Sequence, residues 1–270
     1  MSSAIFACHR VVTFQGNNIS GFGTGFFLSL KCSDGRDVAF FVTNRHVISG
    51  ATHFEITLNK RDDTDIYRFS IGKKFQLKIS SVCGFSDMIS EDEHIDIALI
   101  DITNFALDLG KEYLFQAIDN DQIVEKNSEK EISPLRSVCM IGCPKGIYDE
   151  FNNIAIARSG FLASIFEIDY NNKPWFAIDI AAYPGSSGSP VFAIDYGFAA
   201  QPSGVTKAGI YQIQLLGLLF GGPIPVNEQK VEILPISDNF KIYSKNLINI
   251  AYCLKAREIR KFALKKKFIY

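Results

Sequence analysis

The 270-residue chain is short of several things, and each shortage excludes something. It has no excess of charge: 28 Lys+Arg stand against 29 Asp+Glu, a net of −1. General nucleic-acid binding needs surplus positive charge to meet phosphates, so that class is excluded. Ala-rich and Glu/Lys-rich stretches with a helical period are scarce, which points away from a helical bundle. Long uncharged runs are limited to Ala208–Asn227. That window contains Gln212 and Gln214, and Gly221-Gly222-Pro223-Ile224-Pro225 would break a helix, so it reads as two buried strands and a turn. The opening MSSAIFACHRVV has no basic segment followed by an apolar run. The expectation is no signal peptide and no stable membrane insertion.

What the chain does have is strand-forming. There are 23 Phe and 10 Tyr, Ile and Val recur in short runs, and 20 Gly cut those runs. Hydrophobic residues make up 47% and charged residues 21%, a globular composition able to bury a core without staples. The six cysteines are Cys8, Cys32, Cys83, Cys139, Cys143 and Cys253. With no export signal they read as free thiols in a reducing compartment, so a cytoplasmic location is expected. Cys139 and Cys143 frame an apolar Met-Ile-Gly and read as buried thiols rather than a metal pair.

Strand-like runs fall at Arg10–Gln15, Gly23–Leu30, Asp37–Thr43, His53–Leu58, Phe75–Ile79 and Ile95–Ile100. A second series follows at Ser137–Ile141, Ile154–Ser164, Trp175–Ile180, Pro190–Ile194 and Gln212–Phe220. Two sets of about six short strands suggest two barrels or a sandwich. The polar stretch Asn120–Ser133 is the natural linker between them. From Asn246, apolar residues at Leu247, Ile250, Ala251, Leu254, Ile259 and Phe262 approach helical spacing, which predicts a C-terminal helix of about four turns. Residues 251–270 carry seven basic side chains and one acidic, a net of +6 against −7 for the remainder. A helix docked on an acidic body, with a solvated basic tail, is the plain reading; a tail for an acidic partner or membrane surface is the other.

Three segments carry chemistry. In Phe40-Phe41-Val42-Thr43-Asn44-Arg45-His46 an apolar strand ends and a histidine follows, where a strand end holds the ring toward a cleft. In Ile95-Asp96-Ile97-Ala98-Leu99-Ile100 a single carboxylate interrupts apolar residues. It is costly there without a partner, and an imidazole N–H is a suitable one. In Pro184-Gly185-Ser186-Ser187-Gly188-Ser189-Pro190, Gly185 and Gly188 let backbone N–H groups turn inward beside the Ser187 hydroxyl. Each segment alone reads as structural. Together His46, Asp96 and Ser187 stand in that order, 50 and 91 residues apart, each in a fitting local context.

With these residues the sequence resembles the trypsin-like serine peptidases of the chymotrypsin fold. The closer likeness is to the bacterial branch that holds the HtrA-type and glutamyl-endopeptidase enzymes. Phe22–Phe27 (FGTGFF), Thr43–Val47 (TNRHV), Asp96–Leu99 (DIAL), Gly185–Pro190 (GSSGSP) and the stretch Ile141–Ser164 carry it. The chain order excludes the α/β-hydrolase and subtilisin arrangements. The resemblance implies an all-β fold of two six-stranded antiparallel barrels with a C-terminal α-helix. Residues 1–120 would form the barrel carrying His46 and Asp96, 121–240 the barrel carrying Ser187, and 241–270 the helix and basic tail. It implies a serine endopeptidase with Ser187 as nucleophile, His46 as general base and then acid, and Asp96 fixing the His46 tautomer. The N–H groups of Gly185 and Ser187 would form the oxyanion hole. No cofactor or metal is called for. The partners would be a protein or peptide substrate and, by analogy, a dedicated protein partner. A catalytically weak binding or scaffold module and an esterase using the same triad remain alternatives.

The sequence departs from the family in places. Ser186 stands where digestive-type members have Asp, and an IVGG-type N-terminus is absent, so activation by N-terminal cleavage is not expected. About thirty residues follow the second barrel, so no PDZ domain is expected. The S1 pocket maps to Ala181, Ala182, Phe220, Gly221 and Gly222, none of them ionisable, which suggests an apolar or small P1 residue. Elsewhere, His94 reads as part of a solvated acidic loop, and His9 and His53 lack a neighbouring nucleophile motif. Ser189 has a backbone role in the family, Arg158 reads as half of a structural ion pair, and no His/Asp motif frames Cys143.

Overall fold

The computed structural model describes residues 2–62, 69–80, 88–200, 206–227, 230–235 and 249–269; Cys83, Asn246 and Leu247 lie outside them. A short helix α1 (Ser2–Phe6) leads into β1 (Cys8–Gln15), β2 (Asn18–Lys31) and β3 (Asp37–Thr43). The helical turn α2 (Arg45–Ile48) precedes β4 (His53–Arg61), β5 (Phe69–Ser80) and β6 (Ala98–Asp101). Helix α3 (Thr103–Leu109) and 3-10 turns at Asn120–Gln122 and Lys126–Glu131 connect these to the second half. There β7 (Ser137–Gly142), β8 (Ile156–Leu162), β9 (Trp175–Asp179), β10 (Pro190–Ala200), β11 (Thr206–Asn227), β12 (Lys230–Pro235) and β13 (Ala251–Lys255) are followed by α4 (Arg257–Lys265).

The first six strands form one antiparallel sheet in the order β5-β4-β1-β2-β3-β6. The second sheet runs β10-β7-β8-β9-β13-β11-β12, and an added β10–β11 pairing closes six of its strands into a barrel with β12 as an outer arm. The expected all-β architecture of two antiparallel six-stranded units with a C-terminal helix is therefore observed; among the described residues the second unit closes into a barrel, and no pairing closes the first. Phe26-Phe27-Leu28 of β2 and residues 38–42 of β3 read as continuous apolar runs because both faces of the sheet are covered there. Phe27 and Phe41 enter the core of the first sheet with Val11, Phe54 and Leu58. Their neighbours Phe26, Leu28, Phe40 and Val42 face the other way, into a core shared with Ile141, Phe192, Leu218 and Trp175 of the second sheet.

Three readings of the sequence need correction. Ala208–Asn227 is not two strands and a turn but part of one strand, β11. Its pairing with β13 ends at Gly221, and among the described residues Pro223 and Pro225 then have β12 alone beside them. Prolines are tolerated where a strand has a neighbour on one side alone. Ala251–Lys255 is strand β13, not helix; all five residues are buried between β9 and β11, and a short fully buried run carries no period to read. The helix begins at Arg257 and buries Ile259, Phe262 and Ala263 along one face. Finally, the basic C-terminal segment is not simply a solvated tail, because Lys255 and Arg257 are buried in ion pairs with Glu129 and Asp169. Glu129 comes from the polar linker, which is thus partly core.

His9 is buried against Phe27, with Nδ1 3.0 Å from the Thr57 carbonyl. Burial pulls its pKa from 6.5 down to about 4, against the raising effect of the Thr57 carbonyl. The unfolded chain therefore takes up this proton first as pH falls. The stability contributed by neutral His9 is complete above pH 6.5 and is lost on descending from there to about 4. The full loss is on the order of 3 kcal/mol. Denaturant titrations across that window are expected to show a shallower acid decline for His9→Gln than for the wild type. Identical declines would show that His9 is not the titrating group.

Candidate active site

His46 sits where β3 runs out. Asn44 is extended (φ −79°, ψ 149°) and starts the α2 turn. Its buried side-chain amide donates to the Asp96 carbonyl at 2.7 Å. Arg45 reaches outward, and its Nη1 donates to the carbonyls of Ser90 (2.9 Å) and Asp92 (3.0 Å) in the loop before Asp96. From the second sheet, Trp175 Nε1–H donates to the His94 carbonyl at 2.8 Å. The approach to β6 is thus held from three sides.

The Asp96 carboxylate lies where these clamps put it. Oδ1 accepts the His46 backbone N–H at 3.1 Å, and Oδ2 is 2.5 Å from His46 Nδ1. A carboxylate accepts hydrogen bonds, so Nδ1 is the donating nitrogen and Nε2 keeps its lone pair. Among the described residues, Nε2 is buried and has no hydrogen-bond partner. The side chains of His46 and Asp96 are only 17% and 11% exposed, which shields the pair from competing water.

Ser187 lies in the tight turn between β9 and β10. Gly185 (φ +86°) and Gly188 (φ +87°) are left-handed, and a Cβ on either would meet backbone, 2.6 Å from the Cys143 carbonyl and 2.0 Å from the Thr24 carbonyl. The Ser187 carbonyl accepts the Thr24 N–H at 2.8 Å, and the Gly188 N–H donates to Leu219 at 2.8 Å. Thr43 Oγ1 donates to the same Thr24 carbonyl at 2.7 Å. The Ser187 turn and the strand end that presents His46 are therefore anchored to one residue of β2. The Pro184 carbonyl accepts the Lys145 N–H at 2.5 Å. No described peptide is cis, so the Gly185 N–H points to the opposite side of that peptide.

The other expected residues fall as follows. Ala181 and Ala182 are half-buried on the segment before the turn, and Ala182 packs on the core of the second barrel. Phe220 is buried with its ring centroid 4.7 Å from that of Trp175, and Gly221 and Gly222 lie in the β11–β12 ladder. Arg158 makes no ion pair among the described residues, contrary to expectation. Its Nη1 donates to the Ala181 carbonyl at 2.5 Å and its guanidinium lies 5.5 Å from the Tyr183 ring centroid. A carbonyl and an aromatic face satisfy an arginine at a half-buried strand position without a carboxylate.

Among the remaining candidates, His94 is a half-exposed loop residue beside Trp175, and His53 stacks on Phe14. Burial pushes the Cys143 thiol up to about 12, against the lowering effects of Arg10 and Thr24. It is protonated at neutral pH, which removes it as a nucleophile. Cys8, Cys32, Cys139 and Cys253 are also free and buried. No cluster of His, Cys, Asp or Glu among the described residues is arranged to hold a metal. The sequence reading missed Thr24, Asn44, Arg45 and Trp175. Thr24 and Asn44 were within reach, Thr24 as a polar residue inside a strand and Asn44 as the polar residue at which an apolar strand ends; Arg45 and Trp175 gave no local signal.

Comparison with known proteins bears on the same residues. A curated relative, a probable periplasmic serine endoprotease described as DegP-like from Marinomonas sp. (strain MWYL1), is 27% identical over 182 residues. The match covers 67% of this chain and 29% of the relative, so the chain spans less than a third of that protein's length. This finding overturns the expected cytoplasmic location. The opening residues and unpaired thiols were weak grounds, since buried cysteines stay reduced by inaccessibility in any compartment. The crystal structure of the serine endoprotease from Yersinia pestis superposes with a TM-score of 0.51 at 14% identity, covering 98% of this chain and 65% of that one, a likeness of fold. The model of the trypsin-like peptidase domain matches residues 23–198, which is more than half of the sequence, and the chain belongs to that family.

Proposed function

We propose that the chain is a serine endopeptidase working through an acyl-enzyme. Ser187 Oγ attacks the scissile carbonyl while His46 Nε2 takes its proton, and His46 then delivers that proton to the leaving amine. Water repeats the sequence to release the acyl group. Asp96 holds His46 with Nδ1 protonated and stabilises the imidazolium that forms. The Gly185 and Ser187 N–H groups receive the developing oxyanion, each contributing about 2.7–4 kcal/mol in the transition state. The observation that carries this reading is the double grip of Asp96 on His46, at 3.1 and 2.5 Å, which aims the free lone pair of Nε2 away from the carboxylate. On this division, residues 1–120 supply His46 and Asp96 and residues 121–240 supply Ser187. Segment 241–270 contributes β13 to the second barrel as well as α4. A periplasmic setting, as in the curated relative, and action on protein or peptide substrates belong to the same proposal, as does a dedicated protein partner.

The P1 residue is proposed to be apolar or small. Ala181 and Ala182 offer methyl groups, Gly221 and Gly222 offer bare backbone, and Arg158 already engages the Ala181 carbonyl. Burying an apolar P1 side chain contributes about 1.5–3 kcal/mol. The test is a peptide library with mass-spectrometric readout, run with and without prior fluorophosphonate treatment. Cleavage after Leu, Val, Ala, Met or Phe, abolished by the fluorophosphonate, is expected. Cleavage dominated by Asp or Glu would instead assign Arg158 to P1 recognition. Ester hydrolysis without peptide cleavage would make the chain an esterase. Absence of both reactions and of labelling would leave a binding module.

A further inference from the structure

Thr24 lies within β2, fully buried, and all of its polar groups are used toward the residues of the proposed site. Its N–H donates to the Ser187 carbonyl at 2.8 Å, and its carbonyl accepts from Thr43 Oγ1 at 2.7 Å. Its hydroxyl donates to the Gly185 carbonyl at 2.8 Å and accepts the Cys143 N–H at 3.0 Å. The direction of these last two bonds is fixed. The Cys143 amide is a donor only, so it takes a hydroxyl lone pair, and the single hydroxyl proton is committed to Gly185.

One side chain thereby joins three pieces. Gly185 and Ser187 supply the N–H groups of the proposed oxyanion hole, on the Pro184–Gly185 and Ser186–Ser187 peptides. Cys143 opens the turn whose Lys145 N–H holds the Pro184 carbonyl at 2.5 Å. Thr43 ends the strand that presents His46 three residues on. The carbonyls on both sides of Gly185 are thus bound, one by Lys145 and one by Thr24, and with both fixed the Gly185 N–H has a single direction left. A glycine at a positive φ has no Cβ to define its peptide planes, so the orientation must be imposed from outside.

We propose that Thr24 is a positioning residue of the oxyanion hole, its hydroxyl fixing the Gly185–Ser186 peptide, which lies between the two peptides that carry the Gly185 and Ser187 N–H groups, and its main chain registering Ser187 against the strand that carries His46. The inference rests on the reading of Ser187 as nucleophile. Thr24→Val keeps the shape and removes the hydroxyl. Losing an oxyanion donor outright costs about 10²–10³-fold in kcat, and a misdirected donor costs less, so kcat is expected to fall about 10–100-fold. KM should change by less than about threefold, because the lost interaction is made in the transition state. Affinity for a peptide boronate, which forms a tetrahedral adduct on the serine, should fall in step with kcat. Thr24→Ser should recover most of both. If Thr24→Val does not fold, Thr24→Cys, similar in size but a weak donor, carries the same comparison.

The inference is overturned if the Val or Cys variant keeps wild-type kcat and boronate affinity. It is also overturned if Thr24→Ser loses as much as Thr24→Val, since packing and not the hydroxyl would then be what matters. Ser187→Ala, run alongside, separates the two levels. Activity surviving in that variant defeats the nucleophile assignment itself, whereas its loss together with an unaffected Thr24→Val defeats only the role of Thr24.

Discussion

Replacing Ser187 with Ala, His46 with Ala or Asp96 with Asn is expected to lower kcat by about 10⁴-fold or more in each case, and double replacements should lose little beyond the singles. The three side chains would act as one proton-transfer unit, so removing any member disables the others. Asp96→Asn is the most informative. Asp96 now accepts twice, from the His46 backbone N–H at 3.1 Å and from Nδ1 at 2.5 Å. An amide has one acceptor oxygen and one NH₂, and cannot serve both donors. If its NH₂ faces the ring, Nδ1 must become the acceptor and the proton moves to Nε2, the nitrogen that would have to be free to take the Ser187 proton. The fold should survive, because Asn44 binds the Asp96 main chain and not its carboxylate. Steady-state hydrolysis of a cleaved peptide, with thermal melts to verify folding, makes the measurement. Full activity in Ser187→Ala would end the assignment, and full activity in Asp96→Asn would show that the carboxylate is structural.

Much of this candidate site is legible in the sequence, because its signals are local. Strand β3 was expected at the residues it occupies, Asp37–Thr43, since its apolar run stops abruptly at Asn44. The glycines of the Ser187 turn are expected to let backbone N–H groups turn inward, and both have positive φ. What was hidden depends on partners far away in sequence. Thr24 meets Gly185 across 161 positions, and Trp175 meets His94 across 81. Strand β13 was mistaken for helix because both faces of so short a run are covered. Arg158 was assigned an ion pair because an arginine among apolar residues suggests a carboxylate, whereas a backbone carbonyl suffices. Composition was least informative about the C-terminal charge. Seven basic residues among the last twenty looked like one solvated feature, yet two of them are core.

Those two make Glu129 the most consequential charged residue outside the site. Glu129 is fully buried in the 3-10 turn Lys126–Glu131 and faces Lys255 of β13 and Arg257 at the start of α4. Lys255 Nζ lies 3.3 Å from Glu129 and 2.6 Å from Asp169. Arg257 bonds Glu129 through Nη1 and grips both Asp169 oxygens through Nη2 at 2.7 and 2.8 Å. Burial pulls the Lys255 ammonium down, while its hydrogen bond to Asp169 and the charge of Glu129 oppose that shift. Removing Glu129 leaves buried Lys255 with Asp169 alone, a carboxylate itself about a third exposed and shared with Arg257, while Arg257 also keeps Glu258 at 3.0 Å. An uncompensated buried charge of this kind costs about 3–5 kcal/mol. Glu129→Ala is therefore expected to lower the denaturant midpoint by that equivalent, with the slope unchanged. Glu129→Leu combined with Lys255→Met should cost less than the sum of the separate changes, since the pair is then replaced by apolar packing and Arg257 keeps Asp169. Because the cluster joins the inter-sheet connection to β13 and α4 rather than to Ser187, the folded fraction of Glu129→Ala should hydrolyse peptides at the wild-type kcat. A loss below about 1 kcal/mol, the range of exposed ion pairs, would mean that water reaches the cluster and that these charges do not hold the C-terminal segment in place.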